Sequence, residues 1–173
     1  KIESNTIQSN TTNGVEVKTS CTGNIFRTNI VISNSGNGFL FSDTSSRNVI
    51  RNNLIRANSR AGIALQTQSD TNIIVQNEIS GNDSGVWVSG TTLANAVHKN
   101  DIAGNRVGVW NPAALSQTYN RNWFGSADED SIAILFQDTV SAFRPYRFGT
   151  VDTTAGADTT APAVPIGVAL DST

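Results

Sequence analysis

The chain has 173 residues, 38% of them hydrophobic and only 15% charged, with a formal net charge of −2. That length suffices for one domain with a sizeable core and a short appendage, and the near-neutral balance argues against a nucleic-acid partner or a polybasic membrane patch. A single Cys excludes an internal disulfide framework, and no apolar run is long enough to insert in a membrane. Polarity comes instead from Asn, Ser and Thr, as on many secreted proteins. With neither a Met nor a leader segment, the chain is expected to be a processed or excised piece of a longer protein. Cys21 reads as a small filler near a turn rather than a reactive thiol.

From Lys1 onward the chain repeats itself. Asn5, Asn29, Asn53, Asn77, Asn100 and Asn122 head successive units at intervals of 24, 24, 24, 23 and 22 residues. Three positions before each stands Ile2, Phe26, Ile50, Ile74, Val97 or Tyr119. Two positions after each stands Ile7, Val31, Ile55, Ile79, Ile102 or Phe124. A second Asn column follows at Asn10, Asn34, Asn58, Asn82 and Asn105. Gly14, Gly38, Gly62, Gly85 and Gly108 then each open a short alternating run such as Phe39–Phe41 or Val86–Val88.

Alternation of period two in short Val, Ile and Phe-rich runs reads as strand, not helix. The Asn and Gly columns are expected to mark bends, because both residues tolerate left-handed backbone angles. One such unit cannot bury its apolar side alone, but stacked units can. Equivalent residues then lie about 4.8 Å apart on consecutive coils, and inward Asn side chains can hydrogen-bond along the axis. A leucine-rich repeat would need Leu columns and a helical or extended return, and a left-handed β-helix a strict hexapeptide period; neither is present. The stretches "NNLIRANSRAGIAL" and "NEISGNDSGVWV" resemble the right-handed parallel β-helix repeat of the pectate-lyase-like superfamily, over Lys1 to about Asn122. The resemblance implies an all-β solenoid of about six coils. It does not fix an activity, since that superfamily includes lyases, hydrolases, epimerases, adhesins and inert spacers.

Lys1–Ser4 is already mid-coil in the repeat, so the exposed first coil is expected to be covered by earlier coils or by another molecule. At the other end the columns fail after Asn122. The run Asn122–Ser126, with two aromatics before Gly125, and the later Val140–Tyr146 are similar to the terminal motif of many bacterial β-helix domains. Ile132, Ile134, Leu135, Phe136, Phe143, Tyr146 and Phe148 supply a closing segment over the last coil. The expected organisation is a parallel β-helix over 1–149 with its closing segment from about 123, then a Thr, Ala, Asp and Pro-rich linker over 150–162. The remainder, 163–173, resembles the opening strand of a fibronectin type III or immunoglobulin-like module, or is an extended tail.

The outward columns hold the candidate chemistry. Glu78 above Asp101 places two carboxylates on adjacent coils roughly 5 Å apart, the order used by retaining glycosidases. Mutual repulsion would raise one pKa and leave an acid beside a base. The plainer alternative is a solvated cluster with Arg51, Arg56, His98 and Lys99. No Asp-Pro-His motif, no Asp-Asp pair with Gly-His-Gly and no calcium-carboxylate set followed by Arg is present to favour catalysis. His98 is the only His, which argues against a His-based zinc site. Asp128 and Asp130, in the run Asp128-Glu129-Asp130, are candidates for holding calcium with backbone carbonyls, the one cofactor the sequence admits, or form a solvated loop. Trp87 and Trp110 are one coil apart and, if exposed, would form an aromatic strip suited to sugars, unless the closing segment covers them. Trp123 reads as part of that cap. The sequence thus points to a non-catalytic structural or glycan-binding segment of a secreted or cell-surface bacterial protein. Its partners would be polysaccharide, adjacent domains or further copies of itself, joined end to end or through the tail into filaments. The alternative is a fragment of a polysaccharide lyase, glycoside hydrolase or epimerase.

Overall fold

The structure, a computed structural model, describes residues 1–112 and 115–138. Coil one contributes β1 (Ile2–Glu3), β2 (Thr6–Gln8) and β3 (Val15–Val17); coil two contributes β4 (Ile25–Arg27), β5 (Ile30–Ile32) and β6 (Phe39–Phe41). Coil three carries β7 (Val49–Arg51), β8 (Leu54–Arg56) and β9 (Ala61–Leu65), and coil four β10 (Ile73–Val75), β11 (Glu78–Ser80) and β12 (Ser84–Val88). Coil five has β13 (Ala96–His98) and β14 (Val107–Trp110), and the last turn has β15 (Thr118–Asn120), α1 (Glu129–Leu135) and β16 (Phe136–Gln137). The strands stack into three parallel sheets: β1-β4-β7-β10-β13-β15, β2-β5-β8-β11 and β3-β6-β9-β12-β14-β16. Asp101 and Trp123 prolong the second sheet as single parallel bridges. This is the all-β solenoid that the repeat predicts. Between Gly62 and Asn77 there are strands and no helix, which removes the leucine-rich alternative.

Register follows the sequence columns. Ile50 pairs with Phe26 above it and Ile74 below, and Tyr119 lies under Val97. The inward position of each strand is apolar, so Val31, Ile55, Ile79 and Ile102 are fully buried beneath one another, while Ile30 and Ile73 stand exposed on the outward face. Phe26 meets Phe39 and Phe41 edge-on at 5.6 Å near one end of the core, and Phe136 meets Tyr119 at 5.0 Å and Phe124 at 6.1 Å near the other. Bulky rings fill the coil interiors at the two ends, and branched aliphatics fill the middle.

The corners are held by carboxamides. Asn53 donates both its backbone N–H (3.0 Å) and its Nδ2 (2.9 Å) to Asn77 Oδ1 on the next coil. The same double donation links Asn29 to Asn53, Asn77 to Asn100 and Asn100 to Asn122. A second ladder runs from Asn10 through Asn34, Asn58 and Asn82 to Asn105. A third, absent from the two aligned columns, runs from Asn24 through Asn48, Asn72 and Asn95 to Gln117.

The bends differ from expectation. The ladder Asn are not the left-handed residues; the residue before each is. Ser4, Thr28, Asn52, Gln76, Lys99 and Arg121 all have φ between 53° and 58°. Nor do Gly14, Gly38, Gly62, Gly85 and Gly108 take positive φ. They are glycine for want of room: a Cβ on Gly62 would stand 2.5 Å from Ile79 Cγ2, 2.9 Å from the Gly85 carbonyl and 3.0 Å from Asn82 Nδ2. The third sheet leaves the corner so tightly against the second that no side chain fits between.

The closing segment begins with a helix rather than the expected acidic loop. Asp128 is the N-cap of α1, accepting from the Ser131 backbone N–H at 2.8 Å and from its hydroxyl at 2.6 Å. Ile132 of α1 is fully buried against the last coil, and β16 then pairs with β14. The proposed motif at Val140–Tyr146, the linker over 150–162 and the tail over 163–173 lie outside the described residues.

Two substitutions separate crowding from backbone strain. Gly62→Ala is expected to cost on the order of 1–3 kcal/mol through overpacking. Ala57, exposed with φ 54°, stands in the column that Gly81 occupies one coil later. Ala57→Gly relieves a left-handed Cβ at some cost in chain entropy, for a net gain of about 0.5 kcal/mol. Thermal unfolding should therefore move down for the first and slightly up for the second.

Candidate functional site

Because the interior is filled and its amides are hydrogen-bonded, chemistry is left to the outward columns. Glu78 and Asp101 are bridge partners on neighbouring coils, with Trp123 below them. Glu78 is half-buried, while Asp101 is only 8% exposed. His98 and Lys99 share the coil of Asp101. Arg51 stands in the His98 column but two coils away, with Val75 between them, so about 10 Å separates their backbones. Arg56 lies on the second sheet beside Ser80, exposed. The structure thus joins Glu78 to Asp101 and spreads the cations along one corner rather than gathering them round the pair. Arg121, overlooked in the sequence, belongs to that corner; it occupies the same left-handed position as Lys99, one coil on.

His98 is half-buried. Burial chiefly, then the positive charges of Lys99 and Arg121, hold its pKa below the ordinary value. Elsewhere opposite charges pair within and between coils. Arg106 grips Asp83 through both carboxylate oxygens at 2.6 and 3.1 Å, and Glu3 pairs with Lys1 at 2.7 Å and with Arg27. The Arg106 contact lowers the Asp83 pKa, and those of Lys1 and Arg27 lower that of Glu3. Tyr119 is pushed well above its ordinary range, first by burial and then by Asp138.

Trp87 and Trp110 stack with ring centroids 5.4 Å apart and planes 14° from parallel. One face of each indole is therefore covered by the other ring. The aromatic strip accordingly presents the outer part of Trp110, which is 37% exposed, while Trp87 is half-buried. Ala64, the next residue up the column, is fully buried beside these larger neighbours. In the acidic turn, the Asp128 carboxylate is turned to the start of α1 and its pKa is lowered by Ser131, while Asp130 is exposed. Among the described residues no group of three or more His, Cys, Asp or Glu side chains is arranged to hold a metal ion, and no helix is long and apolar enough to cross a membrane.

A protein-family model described as periplasmic copper-binding protein (NosD) matches residues 1–126. No curated protein and no solved structure matches the chain. The matched span is the run of coils down to the turn after Trp123. Copper(I) favours thiolate and thioether donors, and copper(II) favours imidazole completed by further nitrogen or oxygen donors in a tetragonal plane; among the described residues no three His, Cys, Asp or Glu side chains are so grouped. This chain has one Cys, one His and no Met. Cys21 lies in the turn before β4 and His98 in β13, three coils further on, or about 14 Å along the axis. The residues present do not fit a copper ion.

The depressed His98 pKa has a signed consequence. Between the folded and unfolded values the unfolded chain binds more protons, so stability is complete above about 6.5 and falls as pH drops below it. Glu3, Asp83 and Asp128, whose pKa values are also lowered, lose their contributions only near the carboxylate range. Melting measured from pH 7.5 to 5 should show a decline that His98→Gln removes.

Proposed function

The chain belongs to the periplasmic copper-binding protein (NosD) family, and from that premise we propose that it is a rigid, non-catalytic β-helix segment of an extracytoplasmic protein, at the cell surface or secreted. The observation that supports this reading is the continuity of the three amide ladders through every coil. Interior and corners are committed to stacking, and among the described residues Arg51 and Arg56 stand apart from the Glu78–Asp101 pair. The same reading includes membership in the wider pectate-lyase-like superfamily and a fibronectin-like module opening over 163–173.

Contact with polysaccharide is the second reading, favoured by the exposed part of Trp110 beside Trp87. Assembly with further copies is a third element of the proposal, through the outer strands β1, β2 and β3 or the tail over 163–173.

Incubation with acidic and neutral polysaccharides tests the main reading. No new reducing ends or unsaturated products are expected; turnover that disappears in Asp101→Asn would make the chain an enzyme. Gel retardation on the same polymers, with Trp110→Ala beside the natural chain, reports the glycan reading. Rigidity rests on the ladders. Asn58 receives two hydrogen bonds from Asn34 and makes two to Asn82, so Asn58→Ala strands buried partners on both sides. A loss on the order of 1–3 kcal/mol or more is expected in chemical unfolding.

A further inference from the structure

We infer that the copper in this family's description is not a property of the repeat that carries the family match here: in this chain the shared pattern is a carboxamide scaffold, and the chain takes no copper ion. Three independent features point the same way.

The residues that recur on every coil are Asn, and their polar atoms are already engaged. Asn77 Oδ1 accepts twice from Asn53, and Asn77 Nδ2 donates to Asn100 Oδ1, to the Ile50 carbonyl and to the Val75 carbonyl. Asn58 and Asn82 are engaged in the same way. Neutral amides are poor copper ligands to begin with, and recruiting one would strand buried hydrogen-bond partners at about 1–3 kcal/mol for each group exposed this way. A ladder is therefore self-satisfied and offers an ion nothing.

The donors that copper does prefer are too few and too far apart. The chain has a single imidazole and a single thiol, and the coils between β4 and β13 keep them apart. A rigid stack cannot bend to bring them together. An imidazole–thiol site within one chain is excluded by that geometry, and among the described residues no three His, Cys, Asp or Glu side chains come together to complete a site round the imidazole.

Finally, the one imidazole sits among like charges. Lys99 follows it directly and Arg121 occupies the Lys99 position one coil on, so burial first and these two charges after it oppose protonation of His98. Burial and like charge that disfavour a proton on that ring disfavour a copper cation there as well.

Equilibrium dialysis of the natural chain against Cu(II), and titration of Cu(I) against a chromophoric competitor, decide the matter. Bound metal well below one ion per chain and an unmoved melting temperature are expected. One ion per chain, or one per two chains shared between copies, with a raised melting temperature abolished by His98→Ala or Cys21→Ser, would overturn the inference. A second variant tests the reason. Arg51, Val75 and His98 are register partners on three consecutive coils, so Arg51→His with Val75→His adds two imidazoles in line with the third at the strand spacing. That double variant is expected to gain a copper site of at least tenfold higher affinity than any residual binding by the natural chain. If it stays folded and binds no more copper than the natural chain, donor supply is not what denies the solenoid its metal, and the argument from donor chemistry falls.

Discussion

One contact recurs along the corners of this solenoid: a carboxamide oxygen accepting the backbone N–H, and at nearly every step also the side-chain N–H, of the Asn on the coil before it. Between Asn53 and Asn77 the two distances are 3.0 and 2.9 Å. Asn suits this task because its short side chain carries an acceptor and two donors without charge. Asp in the same column would stack buried like charges at about the strand spacing, and Ser would lack the second donor. Gln succeeds once, at Gln117, where it closes the third ladder by accepting from Asn95 at 2.9 and 3.1 Å. The bonds satisfy polar groups that a sharp bend would otherwise leave buried and unpaired, which is the costly alternative.

The ladder sets the rest of the geometry. Holding Asn inward forces the residue before it outward in the left-handed region, whatever its identity, and the corner column accepts Ser, Thr, Asn, Gln, Lys and Arg in turn. The stacked Asn also crowd the start of the third sheet. Asn34, Asn58, Asn82 and Asn105 each place Nδ2 within 3.0 Å of where a Cβ would stand on Gly14, Gly38, Gly62 or Gly85. Glycine at those sites answers to space, not to backbone angle. Asn and Gly therefore belong to one device: the carboxamide fills the volume that the glycine leaves.

Such a frame is indifferent to what it displays. Outward side chains meet across coils in several ways, as Asp83 does with Arg106 and Trp87 with Trp110. Glu78, Asp101, His98, Lys99 and Arg121 share a corner because the coil pitch places them there. The family match spans residues 1–126, the run of coils itself. Function in such a protein is expected to reside in outward columns, which can change without disturbing the stack.

The 24-residue interval and the inward pattern of Ile, Val and Phe fix strand positions, coil count and register from sequence alone, because stacking allows only one in-register solution when each strand has one apolar face. The third ladder is written in the same interval at Asn24, Asn48, Asn72 and Asn95, and is obscured only by Gln117 at its end. Other features depend on neighbours distant in sequence. Whether a glycine answers to its backbone angle or to its surroundings depends on what stands one coil away, as Ile79 does for Gly62. Asp128 becomes a helix cap because Ile132 finds the open end of the core, although the local pattern around Ser131–Leu135 reads equally as strand. Trp87 and Trp110 lie one coil apart by sequence, but only packing turns their rings face to face and removes one face from solvent. Column count puts Arg51 and Arg56 on the surface of Glu78 and Asp101, and the sheet geometry separates those two cations from the pair. The sequence by itself determined the scaffold, since periodic burial is a local and repeated constraint; the tertiary structure alone decided which outward groups meet, since that depends on pitch, corner angle and the space left by side chains from other coils.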